Sequence, residues 1–181
     1  LTYDNGEGLT FRRTISVDER YLFTIKDDVQ NTGTAPATLY PYALISRHGA
    51  PQVSGYYILH EGLVGVLGDQ GLKEYGYSKI DGEPKCEPTR SCALFNVTDA
   101  WLGITDKYWA ATLLPNNDAK LTAKFSSNLV GTLRTYQADY LLDSQTVQPG
   151  ATITANGRLF AGAKEVSVID GYEAAFKLNK F

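Results

Sequence analysis

Short stretches in which apolar and polar residues alternate, each closed by turn residues, run through most of this chain, and that period of two commits it to β-structure. Leu9, Phe11, Ile15 and Val17 alternate with polar neighbours, Asp18-Glu19-Arg20 supplies a turn, and Tyr21, Phe23, Ile25 and Val29 alternate again. Asn31-Thr32-Gly33 and Pro36 end the second strand, because Asn and Gly tolerate positive φ and Pro cannot continue a ladder. A third apolar run covers Thr38 to Ile45, and Ser46 to Ser54 reads as a loop. Tyr56 to Leu67 is a long apolar run whose Gly62 and Gly65 suggest bulges or close backbone approach. Leu72 to Ile80 suggests a less regular strand, and Asp81 to Ser91, with Pro84 and Pro88, a loop.

Beyond Ala93 the pattern resumes as Ala93 to Val97, Trp101 to Thr105 and Tyr108 to Leu114, with turns at Asp106-Lys107 and Pro115 to Asp118. Leu121 to Phe125, Leu133 to Gln137, Tyr140 to Leu142 and Ile153 to Phe160 follow, the last two around the Pro149-Gly150 turn. The spacing predicts about ten strands without intervening helices, hence an all-β sandwich rather than a parallel α/β sheet. One β-domain is expected over residues 1–162.

Residues 163–181 change period. Val166, Ile169, Tyr172 and Phe176 fall on one side of a 3.6-residue helix, with Lys164, Glu165, Glu173 and Lys177 mainly opposite. Gly171 weakens that helix, so it is expected to depend on docking its stripe, with Phe181 beyond it, against the sheet or a neighbour.

Composition removes several function classes. A net charge of −3 with 20% charged residues is too little to keep the chain disordered, and a pI of about 5.4 gives no basic surplus for nucleic acid. No apolar stretch approaches the ~18 residues of a membrane helix, and residues 1–20 show no basic start followed by an apolar run, so neither a membrane span nor a signal peptide is expected within these residues. The absence of Met suggests an excised or processed segment.

Chemical motifs are sparse. Cys86 and Cys92 lie within the Pro-rich loop, where a disulfide would contribute about 2 kcal/mol by the chain-entropy argument; two thiols without a nearby histidine do not make a zinc site. His60-Glu61 could in principle move a proton, yet adjacent strand residues point to opposite faces. There is no Gly-x-Ser-x-Gly elbow and no phosphate loop, and Gly68-Asp-Gln-Gly71 reads as a hairpin turn. No catalytic residue, metal or cofactor is expected. The tyrosine cluster Tyr40, Tyr42, Tyr56 and Tyr57 has two readings, a binding groove or ordinary strand packing.

The segment Trp101-Leu-Gly-Ile-Thr-Asp-Lys-Tyr108-Trp109-Ala110-Ala-Thr-Leu-Leu-Pro115 resembles the large periplasmic domain of the YidC family of bacterial membrane protein insertases. Gly8-Leu9-Thr10-Phe11, Val29-Gln30-Asn31-Thr32-Gly33, Val147-Gln148-Pro149-Gly150 and Leu159-Phe160-Ala161-Gly162 fall in that family's order, so the resemblance covers nearly the whole chain. It implies a β-supersandwich, like that of galactose mutarotase, followed by a C-terminal α-helix leading toward a transmembrane region outside this chain. It also implies a non-catalytic domain on the periplasmic side of the bacterial inner membrane. Its expected partners are the periplasmic components of the Sec translocon, nascent inner-membrane proteins and its own transmembrane domain. The competing class is a carbohydrate-binding or aldose-epimerase-like domain, which the same sandwich and its aromatics would suit.

Overall fold

The computed structural model describes residues 1–51, 60–178 and 181. Its first alternating run becomes β2 (Leu9–Val17) and β3 (Leu22–Asn31), preceded by a short β1 (Thr2–Asp4). These strands pair antiparallel, with Phe11 opposite Val29 and Ile15 opposite Ile25, and the predicted turn lies between them. Asp18 Oδ1 closes that turn by accepting from the Arg20 and Leu22 amides at 2.8 and 3.0 Å.

The third predicted run is two strands, not one. β4 (Ala37–Leu39) pairs with a distant partner and β5 (Tyr42–His48) enters another sheet; the break falls at Tyr40-Pro41, where proline has no amide to continue the ladder. β5 continues to His48, so the first residues of the predicted loop are strand. β6 (Gly62–Leu67) turns through a 3-10 turn at Gly68–Gln70 into β7 (Leu72–Gly76). The glycines of β6 serve close approach: a Cβ at Gly65 would stand 2.5 Å from the Trp101 carbonyl oxygen. Tyr77–Asp81, expected as the end of a strand and the first residue of a loop, instead forms a short helix, α1. The Pro-rich loop is partly a hairpin of β8 (Lys85–Glu87) and β9 (Arg90–Thr98).

The remaining strands are β10 (Ala100–Thr105), β11 (Trp109–Leu114), β12 (Lys120–Val130), β13 (Leu133–Leu142), β14 (Gln145–Val147) and β15 (Thr152–Ala163); helix α2 (Val166–Phe176) follows. They assemble into an eight-stranded sheet, β1-β2-β3-β15-β11-β10-β6-β7, and a five-stranded sheet, β5-β13-β12-β9-β8, with β14 and β4 as a small separate ladder.

The two sheets face each other over a core of Leu63, Leu102, Leu113, Phe125, Tyr136 and Ala138. A second core lies on the opposite face of the larger sheet, where Leu22, Val66, Trp101, Leu114 and Phe160 receive Val168 and Tyr172 of α2. The architecture is therefore a sandwich with a helix on its outer side. Among the described residues no helix is long and apolar enough to cross a membrane.

Candidate functional site

The smaller sheet stops at β5, while the larger one continues outward through β3, β2 and β1. Among the described residues the smaller sheet therefore leaves part of the inner face of those outer strands uncovered, and a groove of about 810 Å³ opens beside β5. Side chains directly opposite each other on antiparallel strands share a face, so the register assigns its floor. Phe11 faces Val29, Arg13 faces Asp27, and Ile153 and Gly157 of β15 face Val29 and Ile25. Tyr40 and Tyr42 line the side made by the smaller sheet, while Tyr56 and Tyr57 lie outside the described residues.

Within this apolar floor one ion pair is internally neutralised. Arg13 Nε and Nη2 donate to Asp27 Oδ1 and Oδ2, both at 2.7 Å, the two-pronged geometry that suits guanidinium and carboxylate. Tyr140 is buried nearby, and its phenol is pushed up by that burial and secondarily by Asp27. Gly157 accommodates it: a Cβ there would lie 3.2 Å from the Tyr140 hydroxyl. The groove thus offers apolar surface and bound charges, a combination suited to holding a chain rather than to moving protons.

The histidines do not build a catalytic pair. His48 is exposed at the end of β5, and a ring nitrogen of His60 lies 2.9 Å from the Leu63 carbonyl oxygen. Glu61 is buried and engaged, close enough to Tyr77 and Lys164 to influence their ionisation. A polar cluster gathers around it that the sequence did not reveal. Asp106 pairs with Arg47 and accepts from the Tyr77 hydroxyl at 2.9 Å, while Lys164 Nζ donates to Thr105 Oγ1 at 3.0 Å. Burial lowers the Lys164 ammonium and raises the Tyr77 phenol. Asp106-Lys107 carried only a turn signal, and its partners come from β5, α1 and the joint before α2. Among the described residues no group of three or more His, Cys, Asp or Glu is placed to hold a metal.

Helix α2 forms the second feature. Val168 and Tyr172 are buried, and Ile169, Phe176 and Phe181 pack against the same core. Val166 does not join them: it is 74% exposed, and Val168 fills the place assigned to it. At about 100° per residue Val168, Ile169, Tyr172 and Phe176 span a single arc, whereas Val166 lies about 60° beyond its edge. The Tyr172 hydroxyl donates to Asp18, and burial, then this carboxylate, pushes its pKa up to about 12. Asn117 Nδ2 donates to the Phe176 carbonyl at 2.9 Å, the Arg158 guanidinium sits 4.4 Å from the centre of the Phe176 ring, and Phe181 meets Trp101 edge-on at 5.3 Å. The C-terminal half of the helix is therefore tied to strands of the larger sheet and to the turns that end them.

Cys86 and Cys92 are joined in the structure, their Cα atoms 5.7 Å apart, fastening the edge strand β8 to β9.

The sequence profile of the YidC periplasmic domain matches residues 1–181. This chain belongs to that family. Relatives named Membrane protein insertase YidC include one from Nitrobacter hamburgensis, 60% identical over 190 residues that cover 100% of this chain and 30% of the relative. Another, from Bradyrhizobium diazoefficiens, is also 60% identical and is covered over 29% of its length. This YidC periplasmic domain thus spans less than a third of those relatives. Among solved structures, one from Klebsiella pneumoniae bearing the aldose 1-epimerase name matches with a TM-score of 0.59 at 10% identity, over 98% of this chain and 53% of that one. The Slr1438 protein of Synechocystis sp. PCC 6803 matches with a TM-score of 0.55 at 9% identity, over 91% of this chain and 60% of that one. At such identities the likeness is one of fold, and the YidC periplasmic domain is a mutarotase-like sandwich.

Proposed function

We propose that this domain works by contact, as the non-catalytic periplasmic part of an inner-membrane insertase that supports insertion and folding of membrane proteins. Its partners are the periplasmic components of the Sec translocon, emerging substrate segments and the transmembrane part of its own protein. The observation that carries this reading is the seat of α2, which binds a C-terminal element to the sandwich by a buried face and by hydrogen bonds at Tyr172 and Phe176. A helix held in that way sets the orientation of the sandwich relative to whatever follows it. The tyrosine-lined groove is the surface offered to a partner.

The test is complementation in cells depleted of the native insertase, using the full-length protein. Replacing Tyr172, Phe176 and Phe181 together with alanine should impair growth and insertion of a reporter membrane protein. Removing the sandwich while retaining α2 should cost less. Equal tolerance of both changes would remove the helix from the proposal.

A further inference from the structure

We propose that the free edge of β5, from Tyr42 to Ser46, is a strand-addition site for an extended apolar polypeptide lying in the groove. This inference rests on the proposal that the domain acts by contact with polypeptide, and it names the surface and the mode.

The ladder between β5 and β13 fixes which backbone groups are free. The Leu142 amide donates to the Pro41 carbonyl at 2.9 Å, and the Gly49 amide donates to the Arg134 carbonyl at 2.8 Å. These bonds belong to pairs at the two ends of one register, in which Ala43 faces Tyr140, Ile45 faces Ala138 and Arg47 faces Tyr136. Antiparallel pairs alternate between bonded and non-bonded. Ala43, Ile45 and Arg47 therefore bond to β13, while Tyr42, Leu44 and Ser46 turn their amides and carbonyls away from it. Among the described residues β5 has no neighbour on that side in the sheet order.

The other edges of the two main sheets are blunted in the ways natural proteins use. β1 and β8 have three residues each, β8 is fastened by the disulfide, and β7 carries Lys73-Glu74. β5 has seven residues, and its first four, Tyr42-Ala-Leu-Ile45, contain neither charge nor proline. That unguarded stretch borders the groove.

Side-chain surroundings select the occupant. A strand added here presents alternate residues to two sides. One set enters the groove, toward Phe11, Ile25 and Ile153. The other lies beside Tyr42 and Leu44, which are 46% and 47% exposed on the outer face. Both sides are apolar, so the matching ligand is an extended, nearly continuous apolar segment, and backbone pairing makes few further demands on its sequence.

The experiment measures amide exchange by NMR on the 181-residue chain, with and without the capped peptide Lys-Val-Thr-Val-Leu-Val-Thr-Val-Lys. Tyr42, Leu44 and Ser46 amides should exchange rapidly alone and slow by about tenfold or more with peptide, while Ala43 and Ile45 stay protected throughout. The same peptide N-methylated at every residue, which leaves no amide to pair with β5, should give no protection. Leu44→Pro, at a position whose amide has no partner to lose, should fold and abolish the effect, with Leu44→Thr retaining it. If the peptide shifts only groove side chains, or if the N-methylated peptide binds equally, the groove takes apolar ligands without strand pairing and the inference falls. Dodecylphosphocholine, if it shifts the groove and excludes the peptide without protecting any β5 amide while the peptide itself protects none, identifies an acyl-chain site instead. These readouts leave α2 untouched, so their failure is separable from failure of the complementation test.

Discussion

The Tyr172 hydroxyl donates to Asp18 Oδ2 at 2.5 Å across 154 residues of sequence, pinning the C-terminal helix to the turn between β2 and β3. Tyr172→Phe keeps the ring against Phe160 and deletes this bond. It should cost about 1 kcal/mol at most, since Asp18 is at the surface and water partly replaces the lost partner. The bond also holds the Asp18 carboxyl below its ordinary value of 3.8, the Tyr172 hydrogen bond being the main cause. A lowered folded-state pKa gives stability that is complete above the unfolded value and disappears as pH falls through the folded one. Urea midpoints should therefore differ between wild type and Tyr172→Phe at pH 7 and converge in acid below the ordinary carboxylate range; a constant difference would locate the effect in packing.

Gly171 lies within α2, and a Cβ there would meet nothing within 4 Å. Gly171→Ala should stabilise the chain by up to about 1 kcal/mol through backbone entropy alone. Thermal melting is sufficient to detect it, and a lowered Tm would show that this helix face is occupied.

Replacing both Cys86 and Cys92 by serine should cost about 2 kcal/mol, the chain-entropy value for so short a loop. Reductant should lower the urea midpoint of the wild type by the same amount and leave the double variant unchanged. A midpoint insensitive to reductant in both would show that the bridge contributes nothing to stability.

Asp139 points to the outer face of the smaller sheet yet is only 3% exposed. Burial raises its carboxyl, opposed by Gln137, which donates at 2.6 Å, and by Lys124 at 3.6 Å. A raised folded-state pKa means that ionisation is disfavoured by folding, so stability falls as pH climbs from the ordinary carboxylate range through the folded value. Asp139→Asn keeps an acceptor for Gln137 and should raise Tm at pH 7, with the gain shrinking as pH is lowered to about 4. A lowered Tm at neutral pH would mean that the Lys124 contact outweighs desolvation.

Much of this architecture was legible because strand alternation is local. The β2–β3 hairpin, the β10–β11 turn at Asp106-Lys107 and the amphipathic end of the chain each follow from residues a few positions apart. What was not legible depends on distant partners. Tyr40-Pro41 divides one apolar run between two ladders, and only β14 and β13 decide where each half goes. Tyr77–Asp81 is too short to show a helical period. Val166 was placed on the docking stripe by spacing alone, but the helix takes its rotation from the seats of Tyr172 and Phe176. The groove depends on distant pairing, since Phe11, Ile25 and Ile153 form a floor only because β15 pairs with β3.

That last pairing governs the order of events during synthesis. Among the described residues the β1–β2–β3 meander joins the rest of the larger sheet solely through β15, whose Thr152 lies opposite Gln30. A chain delivered N-terminus first must therefore keep β3 without its second neighbour until nearly all of the domain has emerged. Pairing between segments so far apart also carries a high loop-closure cost and slows folding. The opening meander therefore waits with a bare flank, and the last strand to arrive completes the sheet on which the terminal helix comes to rest.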